Sequence, residues 1–532
     1  MFFTNLAIDM SIINRIFLAA SSSLIREIES SMSNPFALQR ECFENLMAHS
    51  AKTAYGKMVG IDALAKSGHS YKERLREFQS RVPIMEYDAF VPYIERMRKG
   101  ERNVLWDEPT KWFAKSSGTS SQKSKFIPVT PTSLKLTHYG GFRRMLAWYI
   151  HTHPQSRIFC GKALTLGGSV QVDGLDGGRA KSGDLSAILL SNSPALVESL
   201  RTPSRKSALM GDFNKKLEAI CRECSSQNVT NFAGVPSWNL MLINKLLEYN
   251  GCSNLLEIWP NMELFMHGGI GFEPYREIYK TLIPSGNMHY LENYNASEGY
   301  FAFQDNLDFD GMLLTVGNGV FYEFVPLPQL PDFLSGAKCH AATLEEVELG
   351  VDYALVISSV NGLFRYLIGD CVKFVSLLPH RIKVSGRTKL SINAFGEELM
   401  IGNAERALAE ACRRCNCTVT DFTVAPLFME ALQSGSSFTK GRHRWVVEFG
   451  RAPQDLDAFA RELDYQLTQQ NSDYEAKRAG NATMEQLELI EVPKGSFERW
   501  MGSRGKLGGQ NKVPRLYHNQ DYIESLLNYL HQ

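Results

Sequence analysis

The chain has 532 residues, of which 44% are hydrophobic and 21% charged, and its 57 basic residues equal its 57 acidic residues. A chain of this length exceeds a single hydrophobic core and predicts roughly two to four domains. The balanced charge provides no overall field for nucleic acid, an anionic membrane or an acidic partner, and no window has the ~18 uninterrupted apolar residues of a membrane span.

The N-terminal residues 1–15 are apolar and raise the question of export. They have no basic region before the apolar stretch, and Asp9 and Arg15 interrupt that stretch. These features favour an amphipathic first helix over a signal peptide. We therefore expect a cytoplasmic protein without a membrane or nucleic-acid partner.

Residues 34–105 are predicted to be helical. Asn34-Pro35 has the composition of a helix start, and Leu38, Cys42 and Leu46 follow at a helical spacing. This region ends before a segment of very different composition.

That segment, Lys115–Lys125, combines many hydroxyl side chains with Gly118 and several lysines. Its backbone N–H groups and hydroxyls can wrap anionic oxygens, and lysines add point charge, which is the chemistry needed to hold a polyphosphate. The segment lacks the Gly-x4-Gly-Lys-Ser/Thr pattern of the common phosphate loop. Loops of this composition also serve as plain flexible connections, so the segment alone leaves both interpretations open.

Another helix is predicted from Pro131, with Met145, Leu146 and Tyr149 on one apolar stripe. Beyond it, runs typical of strands alternate with helical stretches as far as the middle of the chain. The strand candidates are residues 163–166, 185–190, 320–325 and 353–357, and the helical candidates are residues 212–226 and 238–250. This alternation predicts a mixed α/β architecture with more than one sheet.

The alternation of helical stretches and strand-like runs begins again after a predicted hinge near Val384–Leu390. It continues with a helix over residues 397–415, strands from Cys417 and Arg444, and a helix over residues 454–469. We therefore predict an α/β fold with two domains. Residues 1–384 form a large N-terminal domain of mixed sheets flanked by helices, and residues 385–532 form a smaller, mobile α+β domain.

Several of the ten cysteines fall into two local groups, Cys221-x-x-Cys224 and Cys412-x-x-Cys415-x-Cys417. Four thiolates at such spacings could in principle bind zinc. Both groups lie in or beside helix-like runs, whereas zinc-binding pairs normally lie on turns. This placement favours reduced, partly buried thiols.

Five further segments, taken together with the hydroxyl-rich loop, form a set of motifs that can be compared with known families. They are Gly234–Trp238, His267–Gly271, Tyr294–Gly299, Phe364–Asp370 and Gly508–Arg515. Their order and content resemble the adenylate-forming superfamily of acyl-CoA synthetases, luciferases and nonribosomal adenylation domains. They resemble more closely the auxin-responsive Gretchen Hagen acyl-acid amido synthetases, and Gly183–Ile188 and Glu257–Leu264 look like the bacterial branch of that family. The resemblance extends over nearly the whole chain.

The resemblance implies a ligase that uses ATP and Mg²⁺, joins a carboxylic acid to AMP with release of pyrophosphate, and transfers the acyl group to an amino acid. It implies nucleotide-binding roles for Ser116, Ser117, Gly118, Thr119, Ser120, Lys125, Gly268, Gly269, Tyr294, Ser297, Asp370 and Arg387. Among these, residues 116–120 and Lys125 would hold phosphates, Tyr294 would lie against adenine, and Asp370 would accept from the ribose hydroxyls. In the plant-type loop, glycine occupies the position of Gln122 and proline the position of Ser124. This chain departs from the family at both positions, and the effect of these differences on loop shape and activity is left open.

By the same resemblance, two residues take part in the chemistry. Glu298 matches the glutamate that ligates Mg²⁺. Lys512 matches a C-terminal lysine that swings over the site and bridges the attacking carboxylate and the α-phosphate. The acyl pocket is expected to use Tyr139, Arg143, Val235 and Trp238, for an apolar or aromatic acid.

Two alternatives to amide formation remain open at this point. The acyl group could pass to a thiol of CoA or a carrier protein, or to a hydroxyl. The chain could also be a degenerate protein that binds nucleotide without catalysis, although retention of Glu298, Asp370 and Lys512 argues against this. We expect a monomer whose partners are a small carboxylic acid and an amino acid.

Overall fold

A computed structural model describes most of the chain. The described residues are 10–116, 125–168, 170–172, 180–211, 213–269, 272–336, 340–388, 391–392, 397, 399–428, 441–471, 474–475, 478, 484–505, 513–517 and 519–531. Over these ranges, no helix is long and apolar enough to cross a membrane.

The chain forms two compact units. The first unit comprises Met1–Gly234, Lys245–Gly269 and Ser285–Val384, and the second comprises Val235–Asn244, Ile270–Pro284 and Ser385–Gln532. Two short internal segments are thus grouped with the C-terminal part, which the sequence pattern does not show. The division into functional domains at residues 384 and 385 stays a prediction.

The helices account for most of the N-terminal third. They are α1 (Met10–Ala20), α2 (Ser22–Ser33), α3 (Pro35–Ser50), α4 (Ala54–Met58), α5 (Ile61–Ala65), α6 (Tyr71–Arg81), α7 (Tyr87–Arg98), α8 (Gly140–Thr152), α9 (Leu185–Asn192), α10 (Ala195–Ser199), α11 (Arg205–Ala208), α12 (Phe213–Cys224), α13 (Pro236–Asn250), α14 (Arg276–Leu282), α15 (Leu330–Leu334), α16 (Ile401–Arg414), α17 (Leu456–Gln470), α18 (Ser496–Ser503) and α19 (Asp521–Leu530). The helix predicted from Asn34-Pro35 is confirmed as α3, with Pro35 in its first turn, where the missing N–H has no intrahelical partner.

The strands are concentrated after residue 110. They are β1 (Trp112–Ser116), β2 (Lys125–Val129), β3 (Lys162–Thr165), β4 (Val170–Val172), β5 (Lys181–Gly183), β6 (Arg201–Thr202), β7 (Val229–Gly234), β8 (Leu264–His267), β9 (His289–Ala296), β10 (Gly299–Phe303), β11 (Met312–Leu314), β12 (Val320–Pro326), β13 (Asp352–Ser359), β14 (Tyr366–Leu377), β15 (His380–Arg387), β16 (Ser391–Ile392), β17 (Leu399–Met400), β18 (Thr418–Phe428), β19 (Gly441–Arg451) and β20 (Glu488–Val492).

The largest sheet has eleven strands in the order β12-β13-β14-β15-β11-β10-β9-β8-β7-β3-β6. Its β9-β8-β7-β3-β6 half is parallel, and the other strands with a defined register pair antiparallel. A second, four-stranded sheet has the order β2-β1-β5-β4. The predicted mixed α/β architecture with more than one sheet is therefore confirmed.

The second unit has its own sheet and core. Strands β18, β19 and β20 form a three-stranded sheet, and β16 and β17 form a separate pair. Buried apolar residues of α16, α17 and this sheet form one cluster that includes Leu408, Trp445 and Leu463. This arrangement matches the α+β pattern expected for the C-terminal part.

One predicted strand is wrong. Residues 185–190 belong to the helix α9, which begins after Asp184. A short apolar run such as Leu185–Leu190 fits a buried strand and a buried helix equally well, because periodicity does not distinguish them.

The helix predicted from Pro131 is present, but its first turns have a different helical type. Ser133–Tyr139 is a π-helix, and α8 follows directly. Sequence spacing does not separate a π-turn from an α-turn, and such turns often lie at functional sites.

A buried ion pair fixes the start of β14. The Arg365 guanidinium lies 3.0 Å from a Glu323 carboxylate oxygen, and their side chains are 3% and 1% exposed. Arg365 also donates to the carbonyl oxygens of Gln79 and Val82 at 2.6 and 2.7 Å. These bonds hold the backbone immediately before Tyr366.

Candidate active site

A glycine turn follows β8, at the carboxyl end of three neighbouring parallel strands. A Cβ atom on Gly268 would lie 2.1 Å from the Asn293 carbonyl oxygen of β9, and Gly269 has a φ of +82°. The Asn293 side chain donates to the His267 carbonyl at 3.0 Å. The turn is therefore pressed against β9 beside Tyr294, and open parallel sheets usually bind ligands at this edge.

Tyr294 and Asp370 meet through their side chains. The Tyr294 hydroxyl donates to an Asp370 carboxylate oxygen at 2.5 Å, and the two residues are 7% and 6% exposed. The Tyr294 ring also packs on Phe301, with 5.0 Å between ring centroids. The sequence predicted contact of both residues with one nucleotide, and the structure places them side by side.

A bulge in β14 orients Asp370. The pairing of β13 with β14 shifts between Val356↔Leu367 and Ala354↔Cys371, and Gly369 within the shifted stretch has a φ of +93°. Glycine adopts this left-handed conformation without the steric cost of a Cβ atom. Bulges of this kind redirect side chains and are frequent beside active sites.

Glu298 lies in the tight turn between β9 and β10. Ala296 pairs with Gly299, so Ser297 and Glu298 form a two-residue turn, and both residues are buried. The Glu298 carbonyl accepts from the Asn361 side-chain amide at 3.1 Å. A carboxylate on a turn held in this way has a defined position.

Tyr366 contacts the Glu298 carboxylate. Its hydroxyl donates to Glu298 Oε1 at 3.2 Å. Burial raises the pKa of Tyr366 well above its usual range, and the negative charges of Glu298 and Asp370 add to this rise. Glu298 therefore contacts the Tyr366 phenol, and the charge of Asp370, 72 positions further along the chain (370 − 298), also acts on it.

Lys125 lies at the base of the hydroxyl-rich loop. Ser116 of β1 pairs with Lys125 of β2, so these residues bracket the loop. The Lys125 ammonium lies 5.7 Å from the ring centre of Tyr87, whose hydroxyl accepts from the Phe126 N–H at 2.7 Å. Phe90 of the same helix packs on the Tyr366 ring, with 5.8 Å between ring centroids, so α7 contacts both the base of the loop and Tyr366. Ser117, Gly118, Thr119, Ser120, Gln122 and Ser124 lie outside the described residues, as does the side chain of Ser116.

The residues predicted for the acyl pocket have different surroundings. The Tyr139 hydroxyl donates to the Leu189 carbonyl of α9 at 2.6 Å, and burial raises the pKa of Tyr139 to about 12. Arg143 is exposed on α8, and Val235 is half-buried immediately before α13. Trp238 lies on α13, but its side chain is not described. The role of these four residues in acid binding stays a prediction.

Arg387 and the segment of Lys512 belong to the second unit. Arg387 is the last residue of β15, and Lys512 lies outside the described residues. The chain immediately after it is anchored to β18, because Thr423 donates to the Pro514 carbonyl at 2.6 Å and Val424 to the Arg515 carbonyl at 2.8 Å. Arg515 itself pairs with Asp421 and donates to the Tyr275 hydroxyl at 2.5 Å.

The motifs did not indicate a role for Tyr366, Tyr87 or Asn361. Tyr366 lies four residues before Asp370 in the Phe364–Asp370 segment, and alternate residues of an extended chain share a face. This spacing was the available signal. Tyr87 and Asn361 lie outside the quoted motifs and join the site only through folding.

The two cysteine groups show no metal cluster. The nine cysteines among the described residues are free. In the same part of the chain, no three His, Cys, Asp or Glu side chains are arranged to hold a metal ion. The predicted placement of Cys221 and Cys224 on a helix is confirmed by α12.

The chain matches three family models in sequence order. They are the GH3 family N-terminal domain over residues 24–288, the GH3 family central domain over residues 313–387 and the GH3 family C-terminal domain over residues 402–521. Together they cover most of the chain, including the Gly268-Gly269 turn, Asp370 and Lys512.

Curated relatives and solved structures agree with this match. The indole-3-acetic acid-amido synthetase GH3.8 of Oryza sativa subsp. indica is 23% identical over 92% of this chain and 90% of its own. The jasmonoyl-L-amino acid synthetase JAR4 of Nicotiana attenuata is 24% identical over 66% of this chain and 68% of its own.

Two solved structures share the fold. The GH3.15 acyl acid amido synthetase in complex with 2,4-DB aligns with a TM-score of 0.75, at 16% identity, over 96% of both chains. A 2-hydroxyisobutyryl-CoA ligase in the postadenylation state aligns with a TM-score of 0.57, at 11% identity, over 94% of this chain and 92% of its own. The predicted adenylate-forming fold is therefore confirmed, and the chain belongs to the GH3 family, the family of the amido synthetases named above.

Proposed function

We propose that the protein is an ATP-dependent acid–amino acid ligase that works through an acyl-adenylate. A carboxylate is a poor electrophile, so the enzyme joins it to the α-phosphate of ATP and releases pyrophosphate. The amine of an amino acid then attacks the acyl carbon, an amide forms and AMP leaves. Such catalysis consists mainly of positioning and of charge stabilisation around phosphorus.

The observation that carries this proposal is the cluster of Tyr294, Glu298, Tyr366 and Asp370. Two carboxylates, each 6% exposed, accept hydrogen bonds from two buried tyrosines beside the parallel strands, Asp370 from Tyr294 and Glu298 from Tyr366. Carboxylates at such a position can accept hydrogen bonds from ribose hydroxyls and can bind a divalent cation beside phosphates.

The donor set of the cluster fits Mg²⁺. This ion prefers oxygen ligands and is usually held by one or two protein carboxylates together with substrate phosphates. Glu298 would provide the carboxylate oxygen, and Tyr366 and Asn361 would hold that residue in place. When bound, Mg²⁺ neutralises charge on the departing pyrophosphate.

The remaining nucleotide contacts follow from the same proposal. Asp370 receives the ribose hydroxyls, and the hydrogen bond from Tyr294 fixes its carboxylate. The hydroxyl-rich loop and Lys125 bind the phosphates, and Arg387 contacts the nucleotide near the hinge. Lys512 brings a positive charge to the attacking carboxylate and the α-phosphate.

The family supports an amine rather than a thiol as acceptor, because the relatives named above are amido synthetases. Their acids, indole-3-acetic acid and jasmonate, suggest an apolar acid here as well, in a pocket that uses Tyr139, Arg143, Val235 and Trp238. We also propose that the protein is monomeric and works in the cytoplasm.

Acid-dependent exchange of pyrophosphate into ATP, measured across a panel of carboxylic acids, tests the first half of the reaction. We expect exchange that requires both an apolar acid and Mg²⁺. Mass spectrometry of products formed with mixed amino acid and CoA acceptors tests the second half. An amide product supports the proposal, whereas a thioester, or no exchange with any acid, contradicts it.

We expect Tyr366→Phe to raise the Mg²⁺ concentration needed for half-maximal exchange by about 10- to 100-fold, the usual cost of losing a residue that orients a metal ligand. The substitution removes the hydroxyl that donates to Glu298. Tyr300→Phe is a matched control, because Tyr300 is also buried but its hydroxyl contacts Met145. An equal change in both variants would contradict the assignment.

A further inference from the structure

Arg365 has a backbone conformation that residues with a side chain seldom adopt. Its φ is +47°, in the left-handed region, where the Cβ atom of any residue except glycine is crowded. A residue persists in this conformation only where its surroundings hold it there, and such residues cluster at functional sites. Arg365 lies immediately before Tyr366, whose hydroxyl donates to Glu298 Oε1.

Buried polar groups hold Arg365 in this conformation. Its Nε donates to one Glu323 carboxylate oxygen at 3.0 Å, and the Gln79 side chain donates to the other oxygen at 2.9 Å. The Arg365 N–H donates to the Ser358 hydroxyl at 2.9 Å, and the Arg365 carbonyl accepts from the Met85 N–H at 3.1 Å. The side chain, the N–H and the carbonyl are all bonded, so the surroundings determine the left-handed conformation.

The turn from Ser359 to Tyr366 contacts Glu298 at two points. Near its start the Asn361 amide donates to the Glu298 carbonyl oxygen at 3.1 Å, and at its end the Tyr366 hydroxyl donates to Glu298 Oε1 at 3.2 Å. Within the turn, the Ser359 N–H donates to the Leu363 carbonyl at 2.9 Å, and the Leu363 N–H donates to the Asn361 side chain at 3.2 Å. One turn therefore positions both the backbone and the carboxylate of Glu298.

We propose that Glu323 and Arg365 are positioning residues for the divalent cation that Glu298 binds. Their ion pair fixes the left-handed residue, this residue fixes the direction of the Ser359–Tyr366 turn, and the turn fixes the Glu298 carboxylate. The inference rests on the proposed function, because it takes Glu298 as the Mg²⁺ ligand. Groups that orient a metal ligand commonly contribute about 10- to 100-fold to metal affinity.

Glu323→Gln tests the pair with little change in side-chain size. The carboxylate accepts from both Arg365 and Gln79, whereas an amide has one acceptor oxygen and turns an NH₂ group towards one of the two donors. The Arg365 side chain, 3% exposed, also loses its counter-ion. We expect the half-maximal Mg²⁺ concentration for pyrophosphate exchange to rise by about 10-fold, with recovery of the rate at high Mg²⁺ and an unchanged KM for the acid.

Hydrogen exchange of the ligand-free protein gives a measurement that needs no catalysis. In Glu323→Gln, amides in peptides covering residues 294–303 and 359–367 should exchange faster by about 10-fold, because the turn and Glu298 loosen together. Faster exchange at 359–367 alone would show a pair with a local structural role and would overturn the proposal. An unchanged Mg²⁺ requirement in Glu298→Gln would instead refute the proposed metal ligand, on which the hydrogen-exchange result does not depend.

Asp305→Asn is the matched control, because it breaks another ion pair with a buried carboxylate. Arg381 donates to the two Asp305 oxygens at 2.8 and 2.7 Å, and the Asp305 side chain is 3% exposed. Asp305 follows the end of β10, whereas Glu298 precedes its start. This variant should lower the thermal unfolding midpoint and leave the Mg²⁺ requirement unchanged. An equal Mg²⁺ shift in both variants would contradict a specific role of Glu323.

Combining Glu323→Gln with Tyr366→Phe tests how the effect reaches Glu298. If Glu323 acts through Tyr366, the double variant should need little more Mg²⁺ than Tyr366→Phe alone, since effects that share one contact are not additive. A shift equal to the product of the two single shifts would overturn the proposal. If Glu323→Gln does not fold, Gln79→Leu decides the question, because it removes one hydrogen bond to Glu323 and keeps the ion pair. We then expect a shift of about threefold, and the absence of any shift would overturn the proposal.

Discussion

Replacing Lys512 with alanine is expected to slow acid-dependent pyrophosphate exchange by about 10²- to 10³-fold, while the enzyme still forms amide from a supplied acyl-adenylate. A cation placed where charge develops in the transition state typically contributes about 2.7–4 kcal/mol to catalysis. In the proposed mechanism this charge develops only when the carboxylate attacks the α-phosphate. The two half-reactions, measured separately by exchange and by aminolysis, check the prediction.

Lys506→Ala is the matched control for this variant, because the same charge is removed six residues earlier in the chain. The chain after Lys512 is tied to β18 through Pro514 and Arg515, so the substitution leaves these anchors intact. Equal loss in both half-reactions would indicate a structural effect and would contradict the catalytic role of Lys512. Equal loss in both variants would point to a general effect of loop charge.

Much of the fold could be predicted from local sequence signals. Pro35 marked the start of α3, and the apolar runs at residues 320–325 and 353–357 became β12 and β13. The Leu185–Leu190 run was misassigned, because a short apolar segment carries no periodicity that separates helix from strand. The π-helix before α8 was also missed, since its sequence reads as an ordinary helix.

The candidate site was predicted in its members but not in their contacts. The motifs identified Tyr294 and Asp370, yet their hydrogen bond depends on the pairing of β13, β14 and their neighbours, which the sequence does not encode locally. Gly369 was a visible sign of an irregular strand, but the direction in which its bulge turns Asp370 follows only from the sheet. Tyr87 reaches the site from α7 by tertiary packing alone, so no motif could include it.

Glu298→Gln is expected to reduce pyrophosphate exchange by about 100-fold or more at moderate Mg²⁺, since metal-ion stabilisation of transition-state charge is worth several kcal/mol. The glutamine amide oxygen can still accept from Tyr366, so the substitution removes charge while preserving the hydrogen bond that positions the turn. The thermal unfolding midpoint should therefore change little. Exchange rates measured over a series of Mg²⁺ concentrations check the prediction, and partial recovery at high Mg²⁺ is expected.

The matched control is Glu277→Gln, which makes the same chemical change at a carboxylate whose side chain is 67% exposed. This variant should exchange pyrophosphate at the wild-type rate. If Glu298→Gln showed wild-type exchange with an unaltered Mg²⁺ requirement, Glu298 would not be the metal ligand. The buried Glu298–Tyr366 contact would then be a structural bond of the β9–β10 turn. If exchange fell but did not respond to Mg²⁺, the carboxylate would act on the nucleotide by another route, because a weakened metal site must respond to metal concentration.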